Sequence, residues 1–122
     1  MSKEDYDVIV FKILLYYYGC LKRKITFDTA AFNHATDKDS IDESYFTDVI
    51  VMMSEDGLLD NVSYTTAWGS ERLLTGNLSD IRITSSGIKY LKENSKMQKA
   101  KDFFTKNVTP ITSLIKLVFD II

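Results

Sequence analysis

Two pairs of acidic residues that are neighbours in sequence, Asp42-Glu43 and Glu55-Asp56, carry the carboxyl groups that acid–base chemistry uses. Paired carboxylates act as general acid and general base only where both converge on one reacting group. Both pairs fall in a segment with helical spacing, and sequence neighbours on a helix do not face each other. The pairs therefore indicate a solvated acidic face rather than a catalytic dyad.

The chain contains one histidine, His34, and one cysteine, Cys20. Structural zinc sites almost always need four ligands, and His34 has no second histidine or cysteine at suitable spacing. Cys20 follows an almost wholly apolar segment, which is typical of a buried cysteine rather than of a reactive thiolate. Gly69 and Gly76 stand alone and form no phosphate-binding loop. These residues predict no enzymatic activity, no metal and no cofactor.

The totals are typical of a single domain that folds without disulfides. The 122 residues are 45% hydrophobic and 26% charged, and the single cysteine excludes an internal disulfide. The first five residues lack the basic and apolar stretches of a signal peptide. No apolar run reaches the roughly 20 residues of a spanning helix. The sequence predicts a cytoplasmic protein without a membrane span.

Three helices are predicted before Gly57. Ser2, followed by two acids, predicts the start of a helix that is apolar on most of its circumference and ends at Gly19. Asp28 caps a short second helix, which needs packing to be stable. A capping box at residues 40–43 opens the third helix, where apolar residues recur every three or four positions.

Beyond Gly57 the pattern changes to strands. Residues 58–66 and 81–84 are rich in strand formers, and the intervening residues 67–79 contain two glycines, which predicts a hairpin with a long tip. Thr84 or Ser85 then caps a further helix. This order of elements predicts an α+β, mostly helical fold, a winged helix-turn-helix with a long-tipped β-hairpin wing.

Two more helices are predicted after Asn94. A second capping box at residues 95–98 opens one of them. Thr109-Pro110 opens the other, with proline at the first helical position. We predict a winged-helix domain over residues 1–94 and a C-terminal helical extension over residues 95–122. The extension either packs on the domain or forms a dimer interface.

Two segments, Glu55–Leu59 and Ile83–Asn94, resemble a pattern of bacterial winged-helix proteins. In those proteins a glycine and an apolar pair end the helix before the wing, and an apolar-Thr-x-x-Gly sequence opens the helix after it. Over residues 5–107 the layout, including the Tyr-Leu-Lys-Glu-Asn helix end, resembles the YjcQ-like family of small phage and prophage proteins. That family has no assigned activity, so the resemblance implies a winged-helix fold and a phage-related origin but no mechanism.

Charge is distributed unevenly along the chain. Residues 28–60 contain nine acidic residues and one basic residue, whereas residues 89–106 contain six lysines and two acids. By analogy, the third helix of a winged-helix protein faces the DNA major groove. Here that helix has five acidic residues and no lysine or arginine. Because cations that contact phosphates supply most of the affinity for DNA, this charge disfavours double-stranded DNA as the partner.

Candidate contacts to nucleic acid nevertheless occur in four places. They are Lys22, Arg23, Lys24, Ser44, Thr47, Arg72 and Arg82. The hydroxyls would donate to bases or phosphates, and the wing arginines would enter a minor groove or touch phosphates. The alternative is structural, with Arg82 paired to an acid, Trp68 covering the base of the hairpin, and the lysines of residues 89–106 forming a solvated face.

The C-terminal segment is unusually apolar. Nine of the fifteen residues from Val108 to Ile122 are strongly apolar, and they extend beyond a single helix stripe. We predict a homodimer whose interface contains Ile111, Leu114, Ile115, Val118 and Ile122. Packing of this helix on its own domain is the alternative. A membrane-surface role is disfavoured because the helix lacks a basic face.

The functional prediction is a non-enzymatic winged-helix protein of phage or prophage type. It acts as a protein-interaction module or assembly factor, because the third helix is acidic. The alternative is a DNA-binding transcriptional regulator that uses the wing and the lysine-rich surfaces.

Overall fold

The first helix, α1 (Tyr6–Leu21), lies at the centre of the structure. The computed structural model describes residues 1–121. Every residue of α1 from Val8 to Gly19 is buried, and later elements of the chain cover it on all sides. A helix that is apolar around its whole circumference must be enclosed in this way. The prediction of a central buried helix is confirmed.

Five further α-helices within residues 1–121 surround this centre, and each contacts α1. They are α2 (Thr29–Thr36), α3 (Glu43–Glu55), α4 (Ser85–Glu93), α5 (Ser95–Lys106) and α6 (Thr112–Val118). Between α3 and α4 lie four short strands. They are β1 (Leu59–Asp60), β2 (Tyr64–Thr66), β3 (Arg72–Leu74) and β4 (Arg82–Ile83). The predicted mostly helical α+β class is confirmed.

The four strands form one long hairpin that is interrupted midway. At its base, β1 pairs antiparallel with β4, so that Leu59 lies opposite Ile83. Nearer the tip, β2 pairs antiparallel with β3, and Tyr64 lies opposite Leu74. The predicted pairing of residues 58–66 with 81–84 is therefore right only for the base. The rest of the predicted pairing is wrong, because β3, the partner of β2, lies inside the segment predicted to be the tip of the hairpin.

The junction between the hairpin and α4 explains the glycine and threonine pattern in the sequence. The Thr84 hydroxyl donates to the carbonyl of Gly57 at 2.6 Å and accepts the Gly87 amide at 2.9 Å. The Thr84 amide donates to the Leu58 carbonyl at 3.1 Å. A Cβ on Gly87 would lie 2.4 Å from that same carbonyl oxygen. Only glycine lets α4 begin this close to the start of the hairpin.

One charged side chain, Lys12, is enclosed among the apolar residues of α1. Its Nζ lies 2.6 Å from Oδ2 of Asp37 and 5.2 Å from the centroid of the Phe104 ring. Asp37 ends α2 in the left-handed conformation with φ 58°, so the turn that stops α2 also presents the carboxylate to α1. The Lys12 side chain is 6% exposed and that of Asp37 39%. The ammonium therefore depends on this partner more than the carboxylate does.

The ends of α1 and α6 differ from the predicted ones. The residue preceding α1 is Asp5 rather than Ser2, and the helix continues through Gly19 instead of ending there. The left-handed residue after α1 is Arg23, with φ 62°. Pro110 lies in a turn before α6 and is not the first residue of the helix.

Both predicted capping boxes were wrong, whereas the cap of α2 at Asp28 is confirmed. The Asp42 carboxylate accepts the amide of Tyr45 at 3.0 Å and caps α3. The Asn94 side chain accepts two amides at the start of α5. In each case a carboxylate or amide oxygen close to the predicted serine satisfies the free amides, and both types are good N-caps.

Replacing Gly87 tests the close approach at the hairpin junction. Gly87→Ala is expected to destabilise the protein by about 3 kcal/mol, the upper part of the range for overpacking, because the new methyl group meets backbone that cannot rotate away. Ser86→Ala is the matched control at the adjacent exposed position and is expected to stay within about 0.5 kcal/mol of the wild type. Urea unfolding monitored by circular dichroism measures both. Equal stability of the two variants would contradict the contact.

The Lys12–Asp37 pair is expected to respond asymmetrically to substitution. Asp37→Asn leaves a buried ammonium without its counter-charge and is expected to lower the free energy of unfolding by about 1.5–3 kcal/mol. Lys12→Met removes the buried charge, and the carboxylate left behind still reaches water, so the loss should be below about 1 kcal/mol. Urea unfolding of both single variants and the double variant completes the cycle. A larger loss for Lys12→Met would contradict this assignment.

Candidate functional site

The outer face of α3 is exposed and acidic. Ser44, Asp48, Met52 and Glu55 follow one another at intervals of four, four and three residues, so they lie along one side of the helix. All four are exposed. Asp42, Glu43 and Asp56 at the two ends of the helix are also exposed. This surface matches the solvated acidic face that the sequence predicts.

The strand β3 packs on this face of α3. The Ser44 hydroxyl donates to Oε1 of Glu71 at 2.6 Å, and Nη1 of Arg72 lies 3.3 Å from Oε1 of Glu55. The Arg72 guanidinium also lies 6.0 Å from the Tyr64 ring centroid. The hairpin thus crosses α3 between its first and last turns. Ser44 and Arg72, both predicted to contact nucleic acid, are held by partners within the protein.

Thr47 is buried in the structure, with 8% of its surface exposed. The prediction that it would contact nucleic acid is therefore wrong. Its neighbours in sequence explain the error: Phe46, Val49 and Ile50 are all buried, so the inward face of α3 is wide enough to include position 47. A hydroxyl at this position packs with the core instead of pointing toward a groove.

The tip of the hairpin presents a tryptophan to solvent. Trp68 is 98% exposed, so the alternative in which it covers the base of the hairpin is wrong. Three further large apolar or aromatic side chains on the hairpin and on α3 are 40–46% exposed, namely Tyr64, Leu73 and Met52. A large aromatic side chain left entirely in water contributes nothing to folding. Tryptophan is, however, enriched among residues that dominate binding energy at interfaces.

The basic segment after α1 is largely paired. Asp120 accepts a hydrogen bond from Nζ of Lys22 at 3.2 Å and lies 3.4 Å from Nζ of Lys24. Those hydrogen bonds, from Lys22 first and then Lys24, lower the pKa of the exposed Asp120 carboxyl. Lys22 also donates to the carbonyl of Val118. The segment therefore anchors the C-terminal turn, and Arg23 is its one basic residue outside these ion pairs in residues 1–121.

Arg82 differs from Arg72, the other arginine of the hairpin. It is exposed on β4, and the ion pairs found within residues 1–121 do not include it. The structural alternative, a pairing of Arg82 with an acid, is thus wrong for the described residues. Arg82 remains available to a ligand, in contrast to Arg72.

The lysines of α4 and α5 point mostly into solvent. Lys89, Lys96, Lys99 and Lys106 are exposed. Lys92 and Lys101 also contact aromatic rings, with Nζ 5.4 Å from the Tyr18 centroid and 4.7 Å from the Phe119 centroid respectively. These lysines lie on α4 and α5, whereas the acidic face lies on α3.

The residues predicted to form a dimer interface lie mainly inside the monomer. Ile111, Ile115 and Val118 are 3% exposed or less and pack in the same core as α1. Leu114 is half-buried, and Ile122 lies outside the described residues. The prediction that Ile111, Ile115 and Val118 form a dimer interface is therefore wrong. The side of α6 that would contact a second subunit already packs on α1.

Neither candidate for metal or nucleophilic chemistry lies in a site of that kind. His34 is exposed near the end of α2. Cys20 is half-buried, and burial raises the pKa of its thiol, which keeps it protonated at neutral pH. Residues 1–121 contain no group of three histidine, cysteine or acidic side chains placed to hold a metal ion. None of their helices is both long and apolar enough to cross a membrane.

The chain is similar to one known protein family. The family model described as "YjcQ protein" matches residues 11–108. The chain belongs to the YjcQ family. No curated protein and no solved structure matches it. The YjcQ match includes α1 from Phe11 onward, the acidic face of α3, the hairpin and the Gly87 junction, and it ends before α6.

The raised pKa of Cys20 gives a pH-dependent prediction. Because burial disfavours the charged thiolate, the pKa of the thiol is higher in the folded protein than in the unfolded chain. Iodoacetamide should therefore alkylate the native protein more slowly than the protein in urea. The midpoint of the rate against pH should also lie higher for the native protein. A native midpoint at or below the unfolded one would indicate an activated thiol and contradict the structural role.

Proposed function

We propose that this protein is a non-enzymatic protein-interaction module that binds a basic protein surface through the acidic face of α3 and the hairpin tip. The observation that supports this most directly is the 98% exposure of Trp68 on a tip tied to the acidic helix by the Ser44–Glu71 hydrogen bond. Aromatic residues beside charged ones are typical of binding surfaces.

Charge selects the class of partner in this proposal. Asp42, Glu43, Asp48 and Glu71 are exposed around the first half of α3, where phosphates would be repelled. A surface rich in lysine and arginine would be attracted to the same residues and oriented by them during encounter. The side chain of Trp68 would then supply the apolar contact that charge alone does not give.

A winged helix-turn-helix is the architecture we propose for this module. Three helices precede a long hairpin, and the helix that follows it is capped by a threonine and has a tightly packed glycine in its first turn. In this arrangement the hairpin is the wing, and α3 corresponds to the helix that DNA-binding helix-turn-helix proteins present to a groove. Here β3 and its side chains cover part of that helix, which supports a protein partner over a DNA partner.

DNA binding remains the alternative proposal, and one observation favours it. The exposed lysines of α4 and α5, together with Arg82, are basic groups that lie outside α3. Such a surface could neutralise phosphates without using the acidic helix. In this case the affinity would fall steeply as salt concentration rises.

Three further parts of the functional hypothesis stay predictions. They are a cytoplasmic location, a phage or prophage origin and a homodimer. A dimer would have to use residues other than the buried face of α6. Within the described residues of this C-terminal part, Leu117 and Val108 are the large apolar side chains at the surface, with 44% and 94% exposed.

Binding of two labelled probes across a salt series tests the proposal. One probe is a twelve-residue peptide of alternating arginine and leucine, and the other is a random-sequence DNA duplex. Fluorescence anisotropy should detect the peptide and not the duplex. Trp68→Ala should weaken peptide binding by roughly 30-fold, corresponding to about 2 kcal/mol for a central interface residue. The emission of Trp68, the single tryptophan, should shift to shorter wavelength on binding.

Matched variants separate specific binding from general attraction. Asp48→Lys on α3 should weaken peptide binding, whereas Asp102→Lys on α5 makes the same charge change on an exposed residue elsewhere and should have little effect. If the two variants weakened peptide binding equally, the peptide would be responding to the net charge of the protein and not to the surface of α3. Tight, salt-sensitive binding of the duplex that is weakened by Lys96→Gln or Lys99→Gln would favour the DNA-binding alternative.

A further inference from the structure

A cleft lies between the end of α1 and the base of the hairpin. Its volume is about 220 Å³, and its walls include Tyr17, Arg23, Phe27, Ile81, Arg82 and Ile83. None of its lining residues belongs to α3, β2 or β3. The cleft is therefore separate from the surface proposed above to bind a protein.

The floor of the cleft is apolar and held in place. The Tyr17 hydroxyl donates to the Leu78 carbonyl at 2.8 Å, which fixes the ring against the segment before β4. The Phe27 ring stacks on Tyr17, with an interplanar angle of 14° and centroids 6.0 Å apart. Burial raises the pKa of the Tyr17 hydroxyl, so the floor stays uncharged. Ile81 and Ile83, both buried, complete it.

Two exposed arginines line the same cleft from opposite elements. Arg23 follows α1, and one of its guanidinium nitrogens donates to the Cys20 carbonyl at 3.3 Å. A guanidinium has five N–H donors, so most of those of Arg23 remain available. Arg82 is on β4 and takes part in none of the ion pairs within the described residues. Lys22 and Lys24, the neighbours of Arg23, are instead paired with Asp120.

We propose that this cleft binds a small organic anion, with a carboxylate or phosphate group held by Arg23 and Arg82 and a flat apolar body packed against Tyr17 and Phe27. Guanidinium groups bind planar or tetrahedral oxyanions through paired hydrogen bonds. Few polar anchors above an apolar floor are typical of small-molecule sites. The volume is below the roughly 300–1,000 Å³ of drug-sized sites, so the ligand is the size of one ring or a short chain.

Titration of ¹⁵N-labelled protein with benzoate and with phenyl phosphate tests the site by NMR. Amide signals of residues 20–27 and 79–83 should shift with saturation at millimolar probe, and the tighter of the two probes identifies the head group. Benzyl alcohol lacks the anion and inorganic phosphate lacks the ring, so neither should give saturable shifts there. If inorganic phosphate shifts the same signals as strongly as phenyl phosphate, the apolar floor has no role and the proposal is wrong.

Arginine variants test the assignment of the anionic group. Arg23→Gln and Arg82→Gln should each raise the Kd of the better probe about tenfold or more, as expected for loss of a charge-assisted hydrogen bond. Arg72→Gln removes an arginine that is paired with Glu55 and should leave the Kd unchanged. The amide spectrum of each variant shows that it is folded. Unchanged affinity in both cleft variants would overturn the proposal.

A DNA duplex is the other source of the same anionic chemistry. It should neither shift the cleft signals nor displace the small probe. If the duplex competes with phenyl phosphate, the arginines contact nucleic-acid phosphates and the small-molecule site is wrong. This outcome is independent of the peptide test, because the two surfaces share no residue.

Discussion

The burial of α1 on every side is the constraint on which the rest of this structure depends. An apolar helix without a polar face is stable only when other elements surround it, and here α2 to α6 together with β4 contact it. The one charge inside this shell, Lys12, requires the carboxylate of Asp37, because an unpaired buried ammonium is strongly destabilising. The ion pair with Lys12 of α1 thus constrains both the left-handed turn at Asp37 and the position of α2.

Enclosing α1 also determines which surfaces are left for partners. Gly19 permits a close approach: a Cβ there would lie 3.0 Å from Val118 Cγ2 and 3.2 Å from Ile25. The apolar side of α6 is therefore used to close the monomer, which is why Ile111, Ile115 and Val118 are not available to a second subunit. What remains exposed and unusual is the acidic α3 with its hairpin tip on one side, and the cleft with two arginines on another.

Features that depend on local periodicity could be predicted from the sequence. Features for which several local arrangements are equally compatible with the sequence could not, because tertiary contacts determine which of them forms. The central helix and the base of the hairpin follow from apolar spacing and β-formers. Spacing does not specify which of several nearby side chains will accept a free helix amide, so the caps at Asp42 and Asn94 were missed. It also does not specify how wide the buried face of a helix is, so the core position of Thr47 was missed. An apolar tail has the same pattern whether it covers its own core or a partner's. The arginines of the cleft are 59 residues apart, and only the fold shows that both line the same cleft.

The hairpin is the element that positions both proposed surfaces. Its tip strand, β3, crosses α3, and Glu71, the residue before β3, accepts a hydrogen bond from Ser44 of α3. Its base strand, β4, directs Arg82 outward and Ile83 into the core. A shift of one residue in the β1–β4 register would exchange these two side chains and would place a charge in the apolar core. The Thr84 and Gly87 contacts with residues 57 and 58 prevent such a shift, because they lock the end of β4 to the turn that begins β1. The glycine and threonine pattern at this junction therefore specifies the register, and through it the side chains presented to both proposed ligands.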